Sequence, residues 1–191
     1  LRGQSAGETS LCTVGVSGTG LTYRGYDITD LAENTTFEEV AYLIFHGHLP
    51  NASELAGYKQ KLKENRELPA ALMEVLEKVP ASAHPMDVMR TGCSMLGNLE
   101  PEGDFSNQQQ VADRLLGALP GIINYWYRFS HDGLRIETST DEDSMAGHFL
   151  RTLKGDSPSE LEQKVMDVSL ILYAEHEFNA VSYTHLTLPT T

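Results

Sequence analysis

Basic residues are scarce in this chain: 14 Lys and Arg stand against 27 Asp and Glu, a formal net charge of −13 over 191 residues. A nucleic-acid surface needs a basic stripe to neutralise phosphates, so the balance argues against one. It does not exclude small anionic substrates, because a few buried cationic groups can dominate a local field. Cysteine is scarcer still. Cys12 and Cys93 are the whole complement, one in a predicted strand and one in a predicted helix, with no metal-ligand spacing. Two isolated thiols point to a reducing compartment rather than a disulfide framework. Long apolar runs are missing too. The longest, near Val168 to Ala174, is far shorter than the roughly 20 residues that cross a bilayer. No signal-peptide pattern opens the chain, and the expectation is a cytoplasmic location with no membrane partner. A Gly-x-Ser-x-Gly elbow and a Cys/His nucleophile arrangement are both lacking. Without a repeat of fixed period or a linker-like segment, the chain reads as one mostly α-helical unit.

What is present is ordinary for a globular core: 40% hydrophobic residues in 191 are enough for one sizeable core or part of a larger one. Residues 11–16 and 21–26 alternate loosely around Ser17-Gly-Thr-Gly20 and predict a β-hairpin. Everything after it reads helical. Asp27 can cap a helix through Leu31, and Thr36 with Glu39 forms a capping box for one that stops at Gly47–Pro50. A third is expected from Ser53 to about Asn65, a fourth between Pro69 and Pro80, and a fifth after His84-Pro85, ending by Gly97. Residues 98–106 read as loop. The spacing of Val111, Leu115, Ala118, Ile122, Trp126 and Phe129 predicts a long helix from Gln108 to Ser130, kinked or broken at Pro120-Gly121 and ended by Gly133. Another helix is expected over Ser144–Leu153, and a last one starting with Ser157 as N-cap, Pro158 at the first position and Glu160 at the third.

Most polar motifs have a plain structural reading. His46-x-His48 lies before a Leu-Pro stop with no further ligand nearby, which disfavours a metal. His84 is expected to cap or support a helix, and His131 and His148 to lie at the surface or at helix ends. Asp141-Glu-Asp143 reads as a solvated cluster opening a helix, where negative charge suits the dipole. Arg24 and Arg90 can bind carboxylates but are more often structural. The glycines between Gly15 and Gly20 do not lead into a phosphate-cradling helix.

The run Tyr173-Ala-Glu-His176-Glu-Phe-Asn179 stands apart. Val165, Val168, Leu172 and His176 recur at helical spacing, which predicts that the imidazole continues a buried face, with Asn179 on the same side one turn on. One ring and one amide at the inner edge of a helix can grip a small anionic molecule. Equally, a buried imidazole can simply be paired with a backbone carbonyl, since an unpaired polar group there costs about 1–3 kcal/mol.

In this order and spacing, Tyr23-Arg-Gly-Tyr-Asp27-Ile, Phe37-Glu-Glu-Val-Ala41, His46-Gly-His-Leu-Pro50, His84-Pro-Met-Asp-Val-Met-Arg90-Thr-Gly92 and the His176 segment resemble the citrate synthase family. Leu11-Cys-Thr-Val-Gly15, Tyr125-Trp-Tyr127 and Gly147-His-Phe-Leu150 lean toward its bacterial 2-methylcitrate synthase branch, and the resemblance covers residues 7 to about 180. It implies a mainly α, multi-helical domain with a short N-terminal β-hairpin, residues 1–180 being the N-terminal part of the family's large helical domain. It also implies condensation of an acyl-CoA with oxaloacetate, the acyl-CoA being a substrate and not a cofactor, in a homodimer. His176 would hydrogen-bond oxaloacetate and Asn179 would shape its pocket. The family's catalytic Asp, two further histidines and carboxylate-clamping arginines come after residue 180 in family order, so no catalytic acid or base is expected among these residues. A citrate synthase using acetyl-CoA and a non-catalytic helical association domain are the alternatives. Leu1 in place of Met suggests that the true start is absent. The uncharged, Thr-rich stretch Val181–Thr191 lacks helical periodicity and departs from the family pattern. It is expected to be a non-native tail, which makes His185 uninformative.

Overall fold

The computed structural model describes residues 9–14 and 20–175. Most of the expected turn at 17–20, His176, Asn179 and the expected change of character at residue 181 lie outside the described residues. The chain divides into two compact units, Leu1–Pro50 with Val168–Thr191, and Asn51–Asp167. Neither boundary is a linker, and the second falls inside a helix.

In the first unit, strands β1 (Cys12–Val14), β2 (Leu21–Tyr23) and β3 (Tyr26–Asp27) form an antiparallel sheet in that order. The hairpin was expected; the third strand was not. Arg24 and Gly25 both take positive φ, 50° and 89°, giving the two-residue reversal whose twist suits a hairpin. Arg24 is held in this conformation by guanidinium bonds to Ser10 Oγ at 2.6 Å and the Ile44 carbonyl at 2.9 Å. Helix α1 (Ile28–Asn34) begins where Asp27 Oδ1 accepts from the Thr29 amide at 2.8 Å. Helix α2 (Phe37–His46) carries the Thr36–Glu39 capping box and ends at Gly47 with φ 85°. Tyr23, Leu31, Val40, Leu43 and Ile171 form the buried core of this unit.

The second unit is built around one long helix. It contains α3 (Ala52–Glu64), α4 (Ala70–Leu76), α5 (Pro85–Leu99), a 3₁₀ turn (Phe105–Asn107), α6 (Gln108–Asp132), α7 (Met145–Lys154) and the first part of α8 (Glu160–Leu172). Helix α3 begins one residue before the expected Ser53, and Asn51 caps it, its Oδ1 accepting from the amides of Ser53 and Glu54. Helix α6 does not break at Pro120. Its middle is clamped too tightly for the chain to leave the helix. A Cβ at Gly117 would sit 2.8 Å from Asn65 Cβ, one at Gly92 would sit 2.4 Å from Ile122 Cγ2, and Ala118 and Ile122 are wholly buried. Tertiary packing of this kind outweighs one lost backbone bond and the ring clash of an internal proline.

Two expectations about α8 are corrected. Its cap is Ser159 with Glu162, whose carboxylate accepts from the Ser159 amide at 2.9 Å, so the helix starts two residues later than the Ser157 reading. Ser157 instead accepts from Arg151 Nη1 at 3.0 Å. The buried ridge is Asp167 and Ile171, whereas Val165 and Leu172 are 60% and 44% exposed. Apolar residues at 165, 166, 168, 170, 171 and 172 spread around most of the helix. Period alone therefore does not choose a face, and the observed one is turned by a single residue, about 100°, from the expected stripe.

Candidate functional site

The segment carrying His176 follows α8, and the first unit braces the end of that helix. The last carbonyls of any α-helix lack intrahelical donors. Here the Tyr23 phenol, wholly buried, donates to the Ile171 carbonyl at 3.1 Å and lies 3.3 Å from that of Leu172. Cys12, opposite Tyr23 in the β1–β2 ladder, directs its Sγ to Glu175 Oε1 at 3.6 Å. Burial raises the Tyr23 pKa; the Glu175 backbone amide opposes the shift, while the Glu175 and Cys12 charges add to it. The phenol is therefore a proton donor at neutral pH. Strand-to-helix bonds thus hold the chain up to Glu175, one residue before the predicted imidazole.

His176 and Asn179, the two residues the sequence assigns to substrate, lie outside the described residues. Of the other candidates, His84 caps α5 through Nδ1, which accepts from the Met86 amide at 3.2 Å. His131 is exposed in the last turn of α6. Arg24 is structural, as described, and Arg90 is exposed and, among the described residues, paired with Asp87 at 3.0 Å in its own helix. His46 and His48 pack against Tyr42, with ring centroids 4.0 and 5.5 Å away. Among the described residues there is no group of three or more metal-ligating side chains. Asp141 and Asp143 are solvated as expected, but they face Lys63 and Lys59 at 3.9 and 2.8 Å, while Ser144 caps α7. Neither cysteine forms a disulfide.

His148 is the clear correction. It is wholly buried, not at the surface, with Nδ1 3.0 Å from Thr140 Oγ1 and no partner for Nε2 among the described residues. Burial, with the Arg66 charge added, pushes its pKa down to about 3, so the ring is neutral. Arg66, itself 1% exposed, donates to the carbonyls of Thr140 and Glu142 at 2.9 and 2.6 Å. Nothing in the local sequence signals the part of Arg66 in this polar core, because the carbonyls it meets lie more than 70 positions away. A cavity of about 590 Å³ opens beside the same loop, lined by Thr140, Asp141, Glu142, Asp143, Arg151 and Thr152 among others. Tyr23 was legible only as part of the Tyr-Arg-Gly-Tyr motif; the loose alternation of residues 21–26 did not say what it meets.

Comparison with known proteins agrees with the fold. The family model described as citrate synthase, C-terminal domain, matches residues 1–189. The 2-methylcitrate synthase of Shewanella oneidensis is 72% identical over 184 residues, 96% of this chain and 49% of that protein. The 2-methylcitrate synthase 2 of Corynebacterium glutamicum is 38% identical over 199 residues, covering 100% of this chain and 52% of its own length. Citrate synthase 2 of Bacillus subtilis is 39% identical over 168 residues, 86% of this chain and 45% of that one. Among solved structures, citrate synthase from Pyrobaculum aerophilum superposes with a TM-score of 0.80 at 32% identity, over 93% of this chain and 47% of its own. Citrate synthase from Thermoplasma acidophilum, solved as a ternary complex with carboxymethyl coenzyme A and oxaloacetate, shares the fold with a TM-score of 0.84 at 24% identity, over 92% of this chain and 47% of its own. The chain belongs to the citrate synthase family, and it spans about half the length of the curated relatives it matches.

Proposed function

We propose that the parent protein is an acyl-CoA:oxaloacetate condensing enzyme of the 2-methylcitrate synthase type, acting as a cytoplasmic homodimer. The observation that carries this is the 72% identity to the Shewanella oneidensis 2-methylcitrate synthase over 184 residues. In the reaction, a base removes the proton α to the thioester of propionyl-CoA. The resulting carbon nucleophile attacks the ketone of oxaloacetate, and water cleaves the thioester, giving 2-methylcitrate and CoA. Removing that proton needs a positioned base, and polarising the ketone needs donors aimed at its developing oxyanion. In this reading His176 donates a hydrogen bond to oxaloacetate and Asn179 shapes its pocket. The braced end of α8 supports the assignment by fixing where that segment starts. The base and the acyl-CoA contacts have no match in these residues, so the 191-residue chain alone is expected to release no CoA.

The test is a chimera of residues 1–180 with the C-terminal half of the Shewanella oneidensis relative. His176→Ala should raise the oxaloacetate KM and lower kcat with the fold intact; unchanged kinetics would return His176 to a structural role. Propionyl-CoA and acetyl-CoA compete at equal concentration in the same assay. One methyl group is worth only about 1–3 kcal/mol of discrimination, roughly 10- to 200-fold. A preference for acetyl-CoA would replace this reading with a citrate synthase.

A further inference from the structure

We propose that Tyr23 is a positioning residue for the oxaloacetate-contacting segment, acting from β2 by holding the C-terminal end of α8; this rests on the reading of His176 given above. One phenol serves two consecutive helix-end carbonyls, those of Ile171 and Leu172, at 3.1 and 3.3 Å. The bond to the Ile171 carbonyl is buried, so water does not compete with the phenol there, and the Ala174 amide donates to the same carbonyl at 3.2 Å. The platform behind the phenol is itself fixed. The Arg24 amide donates to the Leu11 carbonyl at 2.7 Å, and the Arg24 guanidinium ties the β2–β3 turn to the end of α2 through the Ile44 carbonyl. The neighbouring strand supplies a second tether farther along, from Cys12 to Glu175. Two side chains paired across one ladder therefore reach two successive points on the path to His176, at the end of the helix and just past it.

Such a brace matters to binding more than to folding. The ring of Tyr23 remains buried if only its hydroxyl is removed, so the core keeps its volume. What is lost is the registration of the last helical turn, and a small displacement of a substrate-contacting group costs far more in binding and turnover than in stability. A merely structural tyrosine would lower stability without separating the two substrates.

The experiment uses the same chimera. Tyr23→Phe should raise the oxaloacetate KM about threefold to tenfold, the weight of one lost hydrogen bond. The propionyl-CoA KM should stay unchanged. Backbone hydrogen exchange should quicken across residues 173–180 and not in α6. Tyr125→Phe serves as the control: it removes a buried-side phenol bond to Glu77 at 2.7 Å in the other unit, and should lower stability with both KM values unchanged. An oxaloacetate KM untouched by Tyr23→Phe, or raised equally by Tyr125→Phe, overturns the proposal. If His176→Ala raises that KM and Tyr23→Phe does not, the reading of His176 survives and only the brace fails. An oxaloacetate KM indifferent to His176→Ala removes that reading and the proposal with it. Should the chimera lack turnover, unchanged exchange at 173–180 in Tyr23→Phe is enough to overturn it.

Discussion

Replacing Gly92 by alanine should destabilise the chain, while the same substitution five residues on, at Gly97, should stabilise it. Both glycines lie in α5, where alanine gains about 0.8–1 kcal/mol of helix propensity over glycine. Their surroundings differ. A Cβ at Gly97 meets nothing within 4 Å, whereas one at Gly92 would lie 2.4, 3.2 and 3.4 Å from three carbons of Ile122. Carbon atoms prefer roughly 3.5–4.0 Å, so the nearest of these contacts is short by about 1 Å. Ile122 is wholly buried and β-branched, so its side chain has few rotamers to move into. Three of its atoms face the new methyl, so turning one away brings another closer. The helices must separate, and overpacking of this kind costs about 1–3 kcal/mol. With the propensity gain subtracted, Gly92→Ala should cost up to about 2 kcal/mol. Urea titration of both variants measures the difference. Ile122→Ala, which alone should cost about 2–5 kcal/mol, should cost distinctly less in the Gly92→Ala background, because it removes the overlap. A stabilising Gly92→Ala, or strict additivity with Ile122→Ala, would refute the close approach of α5 and α6 at this point.

Two further outcomes concern pH. The Arg135 guanidinium, donating to both Glu77 oxygens at 2.7 and 2.9 Å, and then the Tyr125 hydroxyl, hold the Glu77 carboxyl down at about 2 from an ordinary 4.5. The pair's stabilisation is thus complete above about 4.5 and is lost as pH falls toward 2. Glu77→Gln should flatten the acid limb of a stability–pH curve in that window, and an unaltered limb would count against the pair. His148 behaves in the other acid range. The unfolded chain takes its proton near 6.5 while the folded ring resists until about 3, so falling pH between these values favours unfolding. His148→Gln should therefore lose less stability than the parent between pH 7 and about 5, and equal losses would show that the ring is not buried neutral.

The family and the local chemistry of the helix ends were legible in the residues alone. Asp27, Thr36 with Glu39 and His84 cap helices where their spacing to a following amide says they should, and Gly47 and Gly133 end them in the left-handed conformation. Each of these signals involves groups within about four positions of one another, so the backbone itself brings the partners together. Burial is a different matter. Whether Val165 or Ile171 faces the core, whether α6 survives Pro120, and whether His148 is wet or dry depend on segments far along the chain. Apolar residues around most of α8 fit more than one face, and a proline's local penalty is small beside the packing of Gly117, Ala118 and Ile122. The bond from Tyr23 to Ile171 spans 148 positions. Only the fold, by bringing a strand of the hairpin to the end of α8, decided what that phenol holds.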